Sequence, residues 1–394
     1  MTRPALPPAV IGIIGGGQLG MMTIREAQRM GFRSVAWDPD PDCPAGRLAD
    51  EIITAPFSDT AAADSLAASA DVITYEFEHI DAAVVRSLES RRRVRPGSDI
   101  LRVSQNRRIE KEELRRNGFP VVEYTIILNE PELRNAVEQI GLPVVLKTTS
   151  AGYDGKGQEI VTTPGEVDDF ARRWKPGTEY AVEKYLELSC ELSVIVARDD
   201  NGGIWDYPVA QNVHRENILH SSIVPAAVDP RIASNATALA RSVIERFSIV
   251  GILCVEMFVT KDGRVLVNEL APRPHNSGHY SLDGCDCSQF EALVRIVTGL
   301  PMREPALLSP CAIVNLLGKH LERLDVSALQ KIPGAKLHLY GKKRVEPRRK
   351  MGHVAMVRPT AAEVLEGIEQ VEKMIGEHRW SRHAAPGRVV TRMG

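Results

Sequence analysis

Two acidic residues, Glu256 and Glu269, stand at mirrored positions around Thr260-Lys-Asp-Gly-Arg264. Asp262-Gly263 is a strong two-residue hairpin signal, and in that register Lys261 faces Arg264 and Glu256 faces Glu269. The Cβ atoms of such a pair lie ~4.5–5.5 Å apart on one face. Facing carboxylates repel unless a cation or a shared proton lies between them. A solvated face would tolerate them, but the flanking runs Val255-Glu-Met-Phe-Val259 and Val265-Leu-Val-Asn-Glu269 are strongly apolar. A shared Mg²⁺ or Mn²⁺, with Asn268 as a further oxygen ligand, accounts best for the pattern.

Three further clusters could do chemistry. Ala271-Pro-Arg-Pro-His-Asn-Ser-Gly-His279 follows the carboxylate pair directly, and its Arg273, His275, Asn276 and Ser277 are candidate anion or substrate contacts. Lys147 ends a strand-like run and precedes Gly152-Tyr-Asp-Gly-Lys-Gly-Gln158. That glycine-rich stretch reads either as an ordinary hairpin or as a loop that closes over a polyphosphate and excludes water. It is not a Walker A sequence. The basic turn Lys342 to Lys350 reads either as a solvated charge run or as a phosphate holder. Near the start, Gly15-x-Gly17-x-x-Gly20 follows a short apolar run, and Asp38 ends the next strand, which matches a dinucleotide fingerprint. Nothing downstream resembles a second mononucleotide half, so a phosphate-bearing substrate at this turn is favoured over NAD.

The elements that must carry these groups follow from periodicity. Val10–Ile14, Val35–Asp38 and Val72–Tyr75 alternate with helical stretches, predicting a parallel sheet with helices on its faces. Residues 143–191 and 207–271 are strand-rich around a helical signal at 233–247, an α+β block. Leu337–Tyr340 and Val354–Val357 predict strands flanking the basic turn. Thr360-Ala-Ala-Glu363 is a capping-box pattern that opens a last helix ending at Gly376.

Composition limits the function classes. At ~150 residues per domain, 394 residues predict two or three domains. Forty-nine basic against fifty-one acidic side chains, net −2, argue against a general nucleic-acid binder. No apolar run approaches the ~20 residues needed to cross a bilayer, and the first residues lack a secretory pattern, so a cytoplasmic protein with no membrane partner is expected. Six cysteines are too sparse for a disulfide scaffold.

Taken together, Gly15–Gly20, Tyr75-Glu-Phe-Glu-His79, Gly152–Gln158, Asn268–His279 and Arg349-Lys-Met-Gly-His353 resemble the ATP-grasp superfamily. More narrowly they are similar to the 5-(carboxyamino)imidazole ribonucleotide synthases, ATP-dependent carboxylases of purine biosynthesis. The resemblance implies a Rossmann-like parallel-sheet domain over 1–103, an ATP-grasp fold over 104–310 and a small β-rich C-terminal domain over 311–394. It implies that Arg107 and Lys147 meet the ATP phosphates, and that Gly152, Tyr153, Asp154, Gly155, Lys156, Gly157 and Gln158 form the lid. Glu183, Lys184, Tyr185 and Leu186 match the adenine-reading segment, Glu191 the ribose ligand and His214 another nucleotide-site position. Asn268 and Glu269 complete that site, and Glu256 with Glu269 match the Mg²⁺ carboxylates.

The resemblance further places 5-aminoimidazole ribonucleotide near Gln18, Leu19, Glu76, Tyr153, Asp154 and Arg273, with Lys342, Arg349 and Lys350 on its phosphate. Two positions depart from the family pattern. Glu346-Pro-Arg348 replaces the common Arg-Pro-Gly, and Lys156 stands where Arg is frequent, keeping the charge without the bidentate fork. The activity implied is ligation through carboxyphosphate: bicarbonate attacks the γ-phosphate and the exocyclic amine then attacks the activated carbon. Asp154, Lys156, Arg273, His275 and Lys342 are the expected catalytic groups, and a homodimer is the expected assembly. The alternatives are another ATP-grasp ligase such as formate-dependent glycinamide ribonucleotide transformylase, an NAD-dependent oxidoreductase, and a nucleotide sensor. The last fits poorly with Lys147, Glu256 and Glu269 all being present.

Overall fold

A computed structural model describes residues 3–150 and 157–377. Among them the first sheet is five-stranded and wholly parallel. Its order is Glu51–Ile53, Arg33–Trp37, Val10–Ile14, Val72–Tyr75 and Arg93–Val94. Ile11, Ile13 and Ile14 of the central strand are buried on both faces, which is why that strand reads as a continuous apolar run. The helices Gln18–Arg29, Thr60–Ser69 and Ala82–Glu89 cover it.

A four-stranded antiparallel sheet follows, ordered Tyr124–Ile127, Tyr180–Lys184, Val144–Thr148 and Gln158–Val161. The helices Glu130–Ile140 and Pro164–Arg172 bury Leu133, Ala136, Val167 and Phe170 on one of its faces. Val145, Lys147, Ile160 and Glu183 of this sheet line a cleft.

The third sheet is antiparallel. It runs Val265–Ala271, Gly251–Thr260, Leu188–Arg198, Ala210–Arg215, Ile218–Val224, Cys311–Leu317, Lys350–Val357 and Ala335–Leu339, with Ile204–Asp206 paired to Leu188–Arg198. The C-terminal strands therefore extend the central sheet. They are closed by the helix Ala361–Met374, which begins in the expected Thr360/Glu363 capping box and buries Val364, Ile368 and Val371. The helix Gln289–Thr298 packs on Gln18–Arg29 and joins the first sheet to the third through one apolar core. No described helix is long and apolar enough to cross a membrane, and the six cysteines are buried and unpaired.

The hairpin carrying the two carboxylates differs from its expected form. Thr260 N donates to Arg264 O (3.0 Å), so Lys261-Asp262-Gly263 is a three-residue loop with Gly263 at φ 82°, and Val259 pairs with Val265. A β-bulge at Asn268 then shifts the register, and Glu256 lies opposite Glu269 after all. The extra residue breaks strict alternation, so Asn268 and Glu269 both line the same cleft.

Candidate active site

The two antiparallel sheets and the loops of the first sheet enclose a cleft of about 1280 Å³. It gathers most of the expected site. Arg107, Lys147, Gly157, Gln158, Glu183, Lys184, Tyr185, Leu186, Glu191, His214, Asn268 and Glu269 line one part with Glu256. Gln18, Leu19, Glu76, Arg273, His275, Asn276, Lys342, Arg349 and Lys350 line the rest. Gly152, Tyr153, Asp154, Gly155 and Lys156 lie outside the described residues.

On the phosphate side, Asn106 caps the helix Arg107–Arg116 and Arg107 N bonds Thr149 O (2.8 Å), seating the helix end on the Lys147 strand. Arg107 reaches Glu269 (3.5 Å) and Glu183 (3.7 Å). Lys147 Nζ donates to Glu183 Oε2 at 2.7 Å. Burial, reinforced by Arg107 and Lys111, lowers the Lys147 ammonium to about 8 against the pull of Glu183. The Glu183 carboxyl is itself depressed below the ordinary range: burial opposes ionisation, and three cations overwhelm it. Its carboxylate is held by these cations, and Glu183 lines the cleft beside Lys184, Tyr185 and Leu186 as expected of that segment.

Glu191 and His214 form a cross-strand pair, Oε2 to Nδ1 at 2.7 Å, close but poorly directed as a hydrogen bond. Burial lowers the imidazole and Glu191 outweighs it, raising His214 to about 8.

The facing carboxylates are pushed apart in proton affinity. Burial raises both. At Glu256 the adjacent His275, Nε2 to Oε1 at 3.0 Å, reverses the effect and leaves the carboxyl low. At Glu269 burial and the repulsion of Glu256 exceed the help from Arg107 and leave it high. Asn268 Oδ1 is buried beside them with no hydrogen-bond partner. Two carboxylates and an orphaned amide oxygen suit a hard cation completed by phosphate and water. No described cluster of three His, Cys, Asp or Glu side chains offers an alternative metal site.

Ser277 does not reach the cleft. It is fully buried, accepts from Ser193 Oγ (2.7 Å) and lies 2.9 Å from His275 Nδ1, so it orients His275 instead of touching substrate. Arg273 is buried against Glu78, Nη2 to Oε1 at 2.6 Å, with Nε unpartnered. Both polar atoms of the Asn276 side chain are likewise unpartnered and buried. In the basic turn, Lys342 donates to Lys350 O (2.9 Å) and Arg349 to Arg344 O (3.0 Å). Arg348 also borders the cleft, and its guanidinium is taken up by Glu216, at 3.0 Å to Oε2 and 2.8 Å to the carbonyl.

The N-terminal glycine turn is the main correction. Gly16 N donates to Asp38 Oδ2 (2.7 Å), Gly20 N to Glu76 Oε2 (2.7 Å) and Gly17 N to Glu76 Oε1. Carboxylates of the chain itself fill the place where a dinucleotide or substrate phosphate was expected. The turn therefore holds Glu76 at the cleft, and phosphate recognition must lie elsewhere.

Sequence reasoning missed Lys111, Glu110 and Glu78. Glu110 accepts from Leu270 N (2.7 Å), and burial, then Glu269, pushes its carboxyl up to about 8. Two signals were available: Lys111 lies one helical turn after Arg107, and Glu78 has the same parity as Glu76.

Comparison with known proteins covers the whole arrangement. Residues 9–105 match the ribonucleotide synthetase preATP-grasp domain, 112–290 the ATP-grasp domain, and 311–367 the phosphoribosylaminoimidazole carboxylase C-terminal domain. The chain is 44% identical over 362 residues to the N5-carboxyaminoimidazole ribonucleotide synthase of Bacillus subtilis, covering 92% of this chain and 95% of that one. With the Staphylococcus aureus (strain COL) protein of the same name it shares 38% over 350 residues, 89% and 92% of the two chains. A crystal structure of an N5-carboxyaminoimidazole ribonucleotide synthetase with ADP superposes at TM-score 0.92, with 41% identity, over 97% of this chain and 100% of that one. The Aspergillus clavatus synthase with ADP and 5-aminoimidazole ribonucleotide superposes at 0.87, with 30% identity, over 94% and 99%.

Proposed function

The chain belongs to the N5-carboxyaminoimidazole ribonucleotide synthases, which are ATP-grasp ligases, and from that premise we propose how its residues divide the reaction. The observation that carries the assignment is the single cleft in which Arg107, Lys147 and the Glu256–Glu269 pair meet the Arg273–Asn276 loop and the basic turn. One end is built for polyphosphate and the other for a phosphorylated, amine-bearing substrate.

Bicarbonate is a poor electrophile because its leaving group would be hydroxide or oxide. Attack of a bicarbonate oxygen on the γ-phosphorus releases ADP and gives carboxyphosphate, whose leaving group is phosphate. A Mg²⁺ or Mn²⁺ ion held by Glu256, Glu269 and Asn268 would neutralise charge on the β- and γ-oxygens. Lys147 and Lys156 add positive charge there, and Arg107 orients Glu269. The exocyclic amine of 5-aminoimidazole ribonucleotide then forms the C–N bond as phosphate departs, and Asp154 takes or orients the amine proton. Arg273 and His275 face the carboxylate or phosphate being transferred, and Asn276, with two unpartnered polar atoms, offers further contacts. Glu76, Gln18 and Leu19 line the substrate end, and Lys342, Arg349 and Lys350 hold its phosphate. Closure of the 152–158 stretch protects carboxyphosphate from water. A homodimeric cytoplasmic enzyme belongs to the same reading, and light scattering measures the first part.

The test is ADP release with ATP and Mg²⁺, with and without 5-aminoimidazole ribonucleotide, and with formate in place of bicarbonate. Release is expected to be slow alone and to rise sharply only with both ribonucleotide and bicarbonate. Indifference to the ribonucleotide, or equal activity with formate, would sink the substrate assignment.

A further inference from the structure

Lys111 is fully buried and does not line the cleft, although it sits one helical turn from Arg107, which does. A buried ammonium is destabilising by several kcal/mol unless it is well paired, so its place needs a reason. Its Nζ lies 3.2 Å from Glu183 Oε1, while the other oxygen of the same carboxylate accepts from Lys147 at 2.7 Å. Tyr124 pairs directly with Glu183 across the strands, and its ring lies 5.6 Å from the Lys111 ammonium and 4.9 Å from the Arg115 guanidinium. Lys111 is thus seated between the Glu183 carboxylate and an aromatic face.

A terminal carboxylate torsion is soft, and with Lys147 alone either oxygen of Glu183 could take the ammonium. Lys111 on Oε1 at 3.2 Å, with Arg107 farther off at 3.7 Å, and Lys147 on Oε2 at 2.7 Å together set the carboxylate plane. We propose that Lys111 is a positioning residue that clamps one oxygen of Glu183, so that the other holds the Lys147 ammonium at the phosphate end of the nucleotide site. The inference rests on the reading above that Lys147 meets the nucleotide phosphates.

The arrangement is also an electrostatic balance. Among the described residues, Lys147 faces Glu183 from the neighbouring strand and Arg107 and Lys111 from the helix, with the Phe258 ring at 5.9 Å from the opposite sheet. Glu269 and Glu110 act on it through Arg107. Burial and two repelling cations set the Lys147 titration near 8. Removing Lys111 lifts one repulsion and moves that titration up; removing the Glu183 charge leaves three cations facing one another and moves it down.

The experiment measures kcat/KM for ATP against pH in the full chain, with saturating 5-aminoimidazole ribonucleotide, bicarbonate and Mg²⁺, for wild type, K111M, K111R and E183Q. K111M is expected to raise the ATP KM on the order of tenfold, as loss of a supporting partner does elsewhere, with the ribonucleotide KM nearly unchanged. Its alkaline limb should move to higher pH, that of E183Q to lower pH, and that of K111R should stay. A residue needed only for folding would not shift the two limbs in opposite directions. An unchanged ATP KM and limb in K111M, or shifts of one sign in both variants, overturn the proposal. Should K111M not fold, E183Q against K111R decides it, and an unmoved E183Q limb overturns it. Binding of a non-hydrolysable ATP analogue separates the two readings. Wild type that binds the analogue but shows no ribonucleotide-stimulated ADP release defeats the functional reading alone, whereas equal affinity of wild type and K111M defeats this inference.

Discussion

Glu256 and Glu269 face one another across neighbouring strands, yet each leans on a different cation, Glu256 on His275 at 3.0 Å and Glu269 on Arg107 at 3.5 Å. The two carboxylates are therefore unequal in proton affinity, Glu256 low and Glu269 high. E269Q and E256Q should each lower kcat/KM by ~10²–10³-fold, as loss of one electrostatic stabiliser does in a preorganised site. The double variant should lose much less than the product, because residues acting as a unit are not additive. Kinetics over a Mg²⁺ titration measure this, and strictly multiplicative losses would show that the metal is not shared.

Stability without metal should separate the same two variants. E269Q removes a half-exposed charge that Glu256 repels, so its Tm in Mg²⁺-free buffer should equal or exceed that of wild type. E256Q leaves the His275 cation without its partner and should cost ~3 kcal/mol. Thermal melts of both proteins, with and without Mg²⁺ and ATP, check the ordering. A less stable E269Q would contradict the repulsion.

The Glu256–Glu269 opposition was legible in the sequence although the route to it was not. Asp262-Gly263 suggested a two-residue turn; the observed three-residue loop shifts the register by one, and the bulge at Asn268 shifts it back. A bulge depends on the partner strand, which no local pattern reports. Helices were read well where a cap and a period agreed, as at Thr360. Ser277 was misread as a substrate contact because a motif specifies residue type but not which neighbour a side chain turns toward. Its partner, Ser193, lies 84 residues away.

The glycine turn supplies the third prediction. A Cβ on Gly17 would come within 2.5 Å of Glu76 Oε1, so G17V should displace that carboxylate and break its bonds to the turn. The ribonucleotide KM should rise on the order of tenfold while the ATP KM stays nearly constant, with ~1–3 kcal/mol lost in stability for the donors left unpaired. E76Q should reproduce the kinetic effect without the steric one. Wild type should not quench NADH fluorescence; tight NADH binding lost in G17V would restore the dinucleotide reading.

A pH-dependent contribution follows from His214. Its folded-state titration is raised from 6.5 to about 8, by Glu191 against the opposing effect of burial. A raised base stabilises the fold fully below its unfolded value and loses that contribution as pH climbs through the folded value. The difference in Tm between wild type and E191Q should therefore be largest near pH ~6 and shrink by pH ~9, corresponding to at most ~2 kcal/mol. The difference between the two proteins is the right quantity, because Lys147 titrates in the same window with opposite sign. A gap that is flat with pH would show that the pair is not coupled.

The basic turn divides into two roles. Arg348 is exposed and tied to Glu216, so R348A should change kcat/KM by less than about twofold, as expected for a surface pair. R349A should raise the ribonucleotide KM about tenfold or more through loss of a charge-assisted phosphate contact. Steady-state kinetics with ribonucleotide varied check both, and equal effects would mean that the turn binds only as a diffuse charge.

The carboxylates lodged in the N-terminal glycine turn have a meaning for the protein in a crowded metabolite pool. An open turn of this type offers its backbone donors to any phosphate. With Glu76 and Asp38 on its donors, the turn has no free N–H at Gly16, Gly17 or Gly20 to offer an anion. The same bonds hold the Glu76 side chain in place where it lines the cleft. What looks like a cofactor fingerprint is thus closed from within, its donors already spent on the chain's own carboxylates.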